Sequence, residues 1–260
     1  MICVDCSKEL VVGASHCHHC GSRIIYHRLN FRDLLVDLFQ RVTNLERGLW
    51  PTLRDMTVRP GQVCLGYIGG MRKRYTPPAT YALIVGSLYA ILSLINSEIY
   101  FYEALMDGIF IGSADAESDA AFLEKFRPFR LPLLFLPVLV ITVVNKLFYR
   151  RQFNWAEQAV VALYYYAHFL LVFLVLHLSV LLIDDFLSDD TPYATWELVL
   201  NFALYTSLVL GYKLYVYNKV YRHGNKLLSI IKPILAFLVG CILNFLPYLG
   251  LTLYFLRGVD

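Results

Sequence analysis

At 260 residues, with 58% hydrophobic, 15% aromatic and 17% charged side chains, a formal net charge of +3 and a mean hydropathy of +0.54, the chain is too apolar for an ordinary soluble domain. The composition fits a membrane protein. No apolar core of the length a secretory signal needs precedes the first cysteines, so the first membrane span is expected to act as its own insertion signal.

The chain opens on two Cys-x-x-Cys pairs, Cys3/Cys6 and Cys17/Cys20, separated by ten residues. Four thiolates at this spacing can close a tetrahedral shell around Zn²⁺, so residues 1–22 are predicted to form a zinc ribbon with Cys3, Cys6, Cys17 and Cys20 as ligands. A pair of redox dithiols would share the spacing, but the strand-then-helix setting of a thioredoxin-type motif is missing. His16, His18 and His19 flank the second pair as substitute ligands, as outer partners of the metal or as plain surface. With four cysteines the shell is closed, which makes the zinc structural rather than catalytic. Thiolates kept for metal require reducing surroundings, which places the N-terminus in the cytoplasm. Lys8 is offset by Asp5 and Glu9, and no aromatic–basic interleaving occurs before Tyr26, so protein contact is expected of the ribbon and nucleic-acid binding is not.

From Phe31 to Leu45 apolar residues recur at helical spacing behind Asn30, a plausible N-cap. With Arg28, Arg32, Arg41, Arg47 and Arg54 nearby, this helix is expected at the cytoplasmic membrane interface; packing on protein neighbours is the other reading. The stretch Arg59–Pro78 follows as a juxtamembrane collar. Gly61, Gly66, Gly69 and Gly70 predict loop or broken helix, and Tyr75 and Tyr81 suit the interface. Its basic residues anchor the positive side, and Arg59, Arg72, Lys73 and Arg74 are also candidate contacts for an anionic lipid or a phosphate. No Walker loop is present.

Five spans follow, at about residues 80–100, 131–148, 159–183, 195–217 and 230–255. The second is short and holds Pro132 and Pro137, which also admits a re-entrant hairpin. Basic clusters (Arg72–Arg74, Lys146–Arg151, Lys213–Lys232) alternate with acidic ones (103–124, Asp184–Asp190) along the connections. That alternation requires five crossings with the N-terminus inside and the C-terminus outside.

Within the spans, Glu157, Tyr164 and His168 share one helical stripe, a candidate polar path. Glu157 and His168 are roughly 16 Å apart along the axis, too far for an acid–base pair. No His-Glu-x-x-His, Gly-x-Ser-x-Gly or paired intramembrane carboxylates occur, so no enzyme is expected.

One ordered set of residues resembles a bacterial family, domain-of-unknown-function family 3667. The set comprises the four cysteines; Gly48-Leu49 with Thr52-Leu53; Arg59-Pro60-Gly61; Tyr67-Ile68; Gly70, Arg72, Arg74 and Tyr75; and Pro78. Leu65-Gly66, Met71 and Pro77 depart from the family pattern. The resemblance covers about the first 80 residues and implies a bacterial inner-membrane protein without implying a reaction. In layout alone the chain is similar to Yip1-type five-span proteins. The expected architecture is an all-α polytopic membrane protein with five transmembrane helices. It divides into a zinc ribbon (1–22), an amphipathic helix with basic collar (23–79) and a transmembrane domain (80–260). The expected role is an adaptor, sensor or scaffold that contacts the bilayer and other membrane or cytoplasmic proteins, the alternative being a small-solute or lipid transporter or channel.

Overall fold

The computed structural model describes residues 2–24, 26–41, 45–95, 130–187, 195–222 and 224–257. The acidic connection at 103–124, Asp189 and Asp190 lie outside them. Among the described residues all regular structure is helical, apart from isolated bridges Ile2–Glu9 and His16–Arg23 in the ribbon. Three short helices, α1 (Phe31–Arg41), α2 (Leu45–Val58) and α3 (Pro60–Ile68), precede five long ones: α4 (Pro78–Ile95), α5 (Arg130–Phe148), α6 (Trp155–Leu187), α7 (Thr195–Val220) and α8 (Lys226–Arg257).

Asparagine side chains start three of these helices. Asn30 Oδ1 accepts from the Asp33 amide at 3.0 Å while Asp33 Oδ2 accepts from the Asn30 amide at 3.1 Å, a reciprocal capping box. Asn154 and Glu157 repeat it at α6, both bonds at 2.8 Å, and Asn225 Oδ1 accepts the Leu228 amide at 2.8 Å. The Asn30 cap is where the sequence places it.

α6 is the central helix, packing against α2, α3, α4, α5 and α7, whereas α8 lies on the flank against α5 and α7. At 33 residues α6 is about 50 Å long, well beyond the roughly 30 Å of a hydrocarbon core, so its first turns extend into the layer of α2, α3 and the collar. That end gathers the basic connections. Gln152 and Arg222 exchange two bonds at 2.7 and 2.8 Å, Tyr149 stacks on Tyr221 with centroids 3.9 Å apart, and Asn154 Nδ2 donates to Leu29 O at 2.8 Å. α5 and α7 end here and α6 and α8 begin here, so successive helices from α5 to α8 run in opposite directions.

Among the described residues, two helical segments are long and apolar enough to cross a membrane, Trp155–Leu176 and Lys226–Asn244; Pro78–Leu92 and Leu134–Phe148 are apolar but shorter. α5 is one continuous helix with Pro137 inside it.

The collar takes the second of the two forms its glycines predict, a broken helix. Residues 60–68 are helical despite Gly61 and Gly66: Pro60 at the helix start presets its own φ, and the glycines are needed for approach. A Cβ on Gly61 would lie 2.6 Å from the Lys219 carbonyl oxygen of α7, and the turn that ends α3 comes at Gly70, φ 102°. α1 packs its acidic side on the rest of the chain and leaves apolar side chains uncovered, which an interfacial helix and a helix packed on protein neighbours both allow. Asp33, Asp37 and Leu34 face inward, while Phe31 and Leu35 are 53% and 57% exposed.

Candidate metal centre

The ribbon is one turn used twice. In the first, the Cys3 amide donates to Lys8 O at 2.8 Å and the Ser7 amide to Cys3 O at 2.9 Å. In the second, the Cys17 amide donates to Ser22 O at 2.9 Å and the Gly21 amide to Cys17 O at 2.7 Å. Each turn closes on a left-handed residue, Ser7 at φ 57° and Gly21 at φ 71°. The two turns face each other and bring the Cys3, Cys6, Cys17 and Cys20 sulfurs within 4.8 Å of one another. Cys3–Cys20 and Cys6–Cys17 are each 3.7 Å apart. A tetrahedron with metal–sulfur bonds of about 2.3 Å has edges of about 3.8 Å, so the donor set fits a four-coordinate thiophilic ion. A disulfide, at about 2.05 Å, is ruled out for these pairs in this arrangement.

The quartet is electrically incomplete on its own. A hydrogen bond from the Cys20 amide, with help from His19, pulls the Cys17 thiol down to about 6, while burial pushes Cys20 up to about 12. His16, His18 and His19 are exposed and lie outside the sulfur cluster, and the His16 ring bonds Ser15 Oγ.

Sequence reasoning read Asp5 only as a charge that offsets Lys8; it sits inside the first Cys-x-x-Cys turn and fastens the ribbon to the collar. Its carboxylate accepts the backbone amides of Arg72 at 3.0 Å, Lys73 at 3.1 Å and Arg74 at 3.4 Å, together with the Ser22 hydroxyl from the second turn. The Lys73 ammonium donates to the Cys20 carbonyl. Both cysteine turns therefore hold the collar. An acid between two predicted thiolate ligands was the available signal, since it adds negative charge where the metal site already supplies it.

The collar's basic residues are mostly committed. Arg72 is 1% exposed, pairs with Asp37 of α1 at 2.5 Å and lies over the Tyr67 ring at 4.0 Å, and the Tyr67 hydroxyl donates to the same carboxylate at 2.6 Å. Arg74 meets Asp55 of α2 at 3.4 Å, as does the Tyr75 hydroxyl at 2.8 Å. Of the four cations expected to meet an anion, Arg72 is buried in an ion pair and Lys73 faces the ribbon. Arg59, ahead of α3, has no acidic partner among the described residues. Gly48 and Thr52 seat the collar on α2: a Cβ at 48 would lie 3.0 Å from the Thr76 amide, and Thr52 Oγ1 accepts that amide at 2.9 Å.

Glu157, Tyr164 and His168 are all buried, but each faces a different neighbour. Glu157 binds Arg28 at 2.5 and 3.1 Å besides capping α6; Tyr164 donates to the Thr76 carbonyl at 2.6 Å. His168 joins α2 and α4 to α6, with Nε2 3.1 Å from Thr57 Oγ1 and Nδ1 2.8 Å from the Tyr81 hydroxyl. Thr57 gives its proton to Leu53 O, so Nε2 carries hydrogen; in a neutral ring Nδ1 then accepts from the Tyr81 hydroxyl. The stripe is thus three separate ties between elements.

Residues 46–90 match the model of a protein family described as "Protein of unknown function (DUF3667)". No curated protein and no solved structure matches the chain.

Proposed function

Starting from a chain whose residues 46–90 belong to that family, we infer a multi-pass protein of the bacterial inner membrane that uses a structural Zn²⁺ ribbon as a cytoplasmic adaptor or scaffold. The cysteine quartet supports zinc through its donor chemistry and its 3.7 Å edges. The observation that carries the role is the latch through Asp5 and Lys73: it turns one face of the ribbon onto the collar and leaves the opposite loop free, with Val11 and Val12 62% and 91% exposed. A free apolar tip on a rigid, membrane-fixed module suits protein contact. The reading keeps five crossings, the N-terminus inside, the C-terminus outside, and no reaction of its own. Transport along α6 has less support, because Glu157, Tyr164 and His168 are each bonded to a different element.

Zn²⁺ should co-purify at one ion per chain, and Cys3→Ser with Cys17→Ser should remove it while the helices still insert. Zinc retained by that double variant would sink the metal assignment. For the role, proteins recovered with the full chain from native membranes should be lost from Val11→Asp/Val12→Asp, with zinc content unchanged. Full recovery by that variant would defeat the adaptor reading.

A further inference from the structure

The anion contact expected of the collar has a better-built location beside it. A cleft of about 890 Å³ opens where α3, the collar and the cytoplasmic-side end of α7 meet, with Val4 of the ribbon on its rim. Three cations line it, Arg59, Arg74 and Lys219, and no acidic side chain does. Arg74 shares its charge with Asp55, but Arg59 and Lys219 have no acidic partner among the described residues. The cations come from three different elements, so this is not one helix terminus or one basic run. Between them the walls are apolar, formed by Leu65, Met71 and Val58.

The cleft is held open by backbone contact. Gly61 lets α3 approach the Lys219 carbonyl too closely for any other residue, and the Tyr215 hydroxyl of α7 donates to Val58 O at 2.5 Å. These contacts fix the start of α3, just after Arg59, against the turn of α7 that carries Lys219. Gly66 and Met71 shape the floor, a Cβ at 66 lying 3.0 Å from the Met71 sulfur. A volume near 900 Å³ with apolar walls and three cations in its lining suits a small amphiphile bearing a phosphate, not a bare inorganic ion. Its place beside the last turns of α7, at the end where the basic connections gather, is the depth of headgroups in a five-span arrangement.

We propose that this cleft binds the phosphate of an anionic phospholipid headgroup, with Arg59, Arg74 and Lys219 as its contacts and Leu65 and Met71 receiving the first part of the acyl chain. A soluble phosphate ester would use the same cations and is distinguished by the test. The full chain, purified with its metal in neutral detergent, is titrated with dioctanoyl phosphatidylglycerol, dioctanoyl phosphatidylcholine and inorganic phosphate, and bound species are read by native mass spectrometry. One phosphatidylglycerol per chain is expected, with at least tenfold weaker binding in Arg59→Gln/Lys219→Gln. Leu65→Glu, a change at a residue 40% exposed, should weaken it comparably by adding a carboxylate to the wall. Variants are compared at matched zinc content and melting temperature, so that a fold defect is not read as a binding defect. Inorganic phosphate binding as tightly as phosphatidylglycerol would keep the phosphate site and assign a soluble ligand. Equal binding of phosphatidylcholine, or undiminished phosphatidylglycerol binding by the double variant, would overturn the proposal.

Discussion

α6 and α8 are nearly the same helix by length, 33 and 32 residues, and each holds a segment apolar enough to span a bilayer. Yet 67% of that segment is buried in α6 and 17% in α8. The difference lies in what each helix can bind. α6 carries Glu157, Gln158, Tyr164 and His168 to hydrogen-bonding partners on four different parts of the chain, and such groups specify a protein neighbour. α8 turns Leu227, Ile230, Leu235, Leu238, Ile242 and Leu246 outward, a surface that hydrocarbon covers as well as protein does. Both are long and apolar enough to cross a membrane; polar bonding distinguishes the buried core helix from the one whose apolar side is left uncovered.

The largest effect should come from the polar side of this contrast, at the end of the molecule where α6 begins. Asp37→Ala leaves the Arg72 guanidinium buried without its carboxylate and should cost about 3–5 kcal/mol, read as a lowered denaturation midpoint of that end. A loss under 1 kcal/mol would mean that the pair is not closed as described. On the apolar side, Ile242→Lys should raise the cost of inserting α8 by about 2.5–3.5 kcal/mol in a translocon assay, because it puts an ammonium into hydrocarbon. An unchanged insertion efficiency would place that face in water and break the comparison. His168→Leu removes the partner of two hydroxyls and should cost about 1–2 kcal/mol in thermal stability without a transport phenotype. Loss of a flux with stability intact would restore the polar path.

The smallest effect is a pH dependence. Burial, reinforced by the hydrogen bond to Asp55, pushes the Tyr75 phenol up to about 12, so the folded state favours its neutral form. That contribution is complete below pH 10, where the unfolded phenol is also neutral, and fades as pH rises from 10 to 12. Tyr75→Phe should flatten this part of the urea-midpoint profile relative to wild type. Parallel profiles in the two proteins would discount the Asp55 contact.

The two cysteine turns and their convergence were legible because Cys-x-x-Cys spacing is a local constraint, and so was Asn30 as a cap. The collar was legible as a basic, glycine-rich segment but not in its charge pairing. Arg72, Lys73 and Arg74 read as a cluster facing outward, whereas Asp37, Asp5 and Asp55 reach them from three other elements, at separations no local pattern encodes. Asp33 and Asp37 fall on one side of α1, and that acidic side, among so many arginines, was a usable hint of inward pairing. The stripe of Glu157, Tyr164 and His168 was legible as residues on one face. Its meaning depended on α2, α4 and Arg28, which supply the partners.

The separation between Asp5 and the collar amides, 67 residues for Arg72, also orders events during synthesis. The ribbon leaves the ribosome first and can load its ion and fix the Asp5 carboxylate before Arg72–Arg74 exist. When those residues emerge, they meet a preformed acceptor that sets the path of the chain just ahead of α4. If the ribbon takes a metal ion and α4 enters a bilayer, a ribbon that has failed to load would lack this acceptor, and metal supply at translation would act on how the first long helix is presented for insertion.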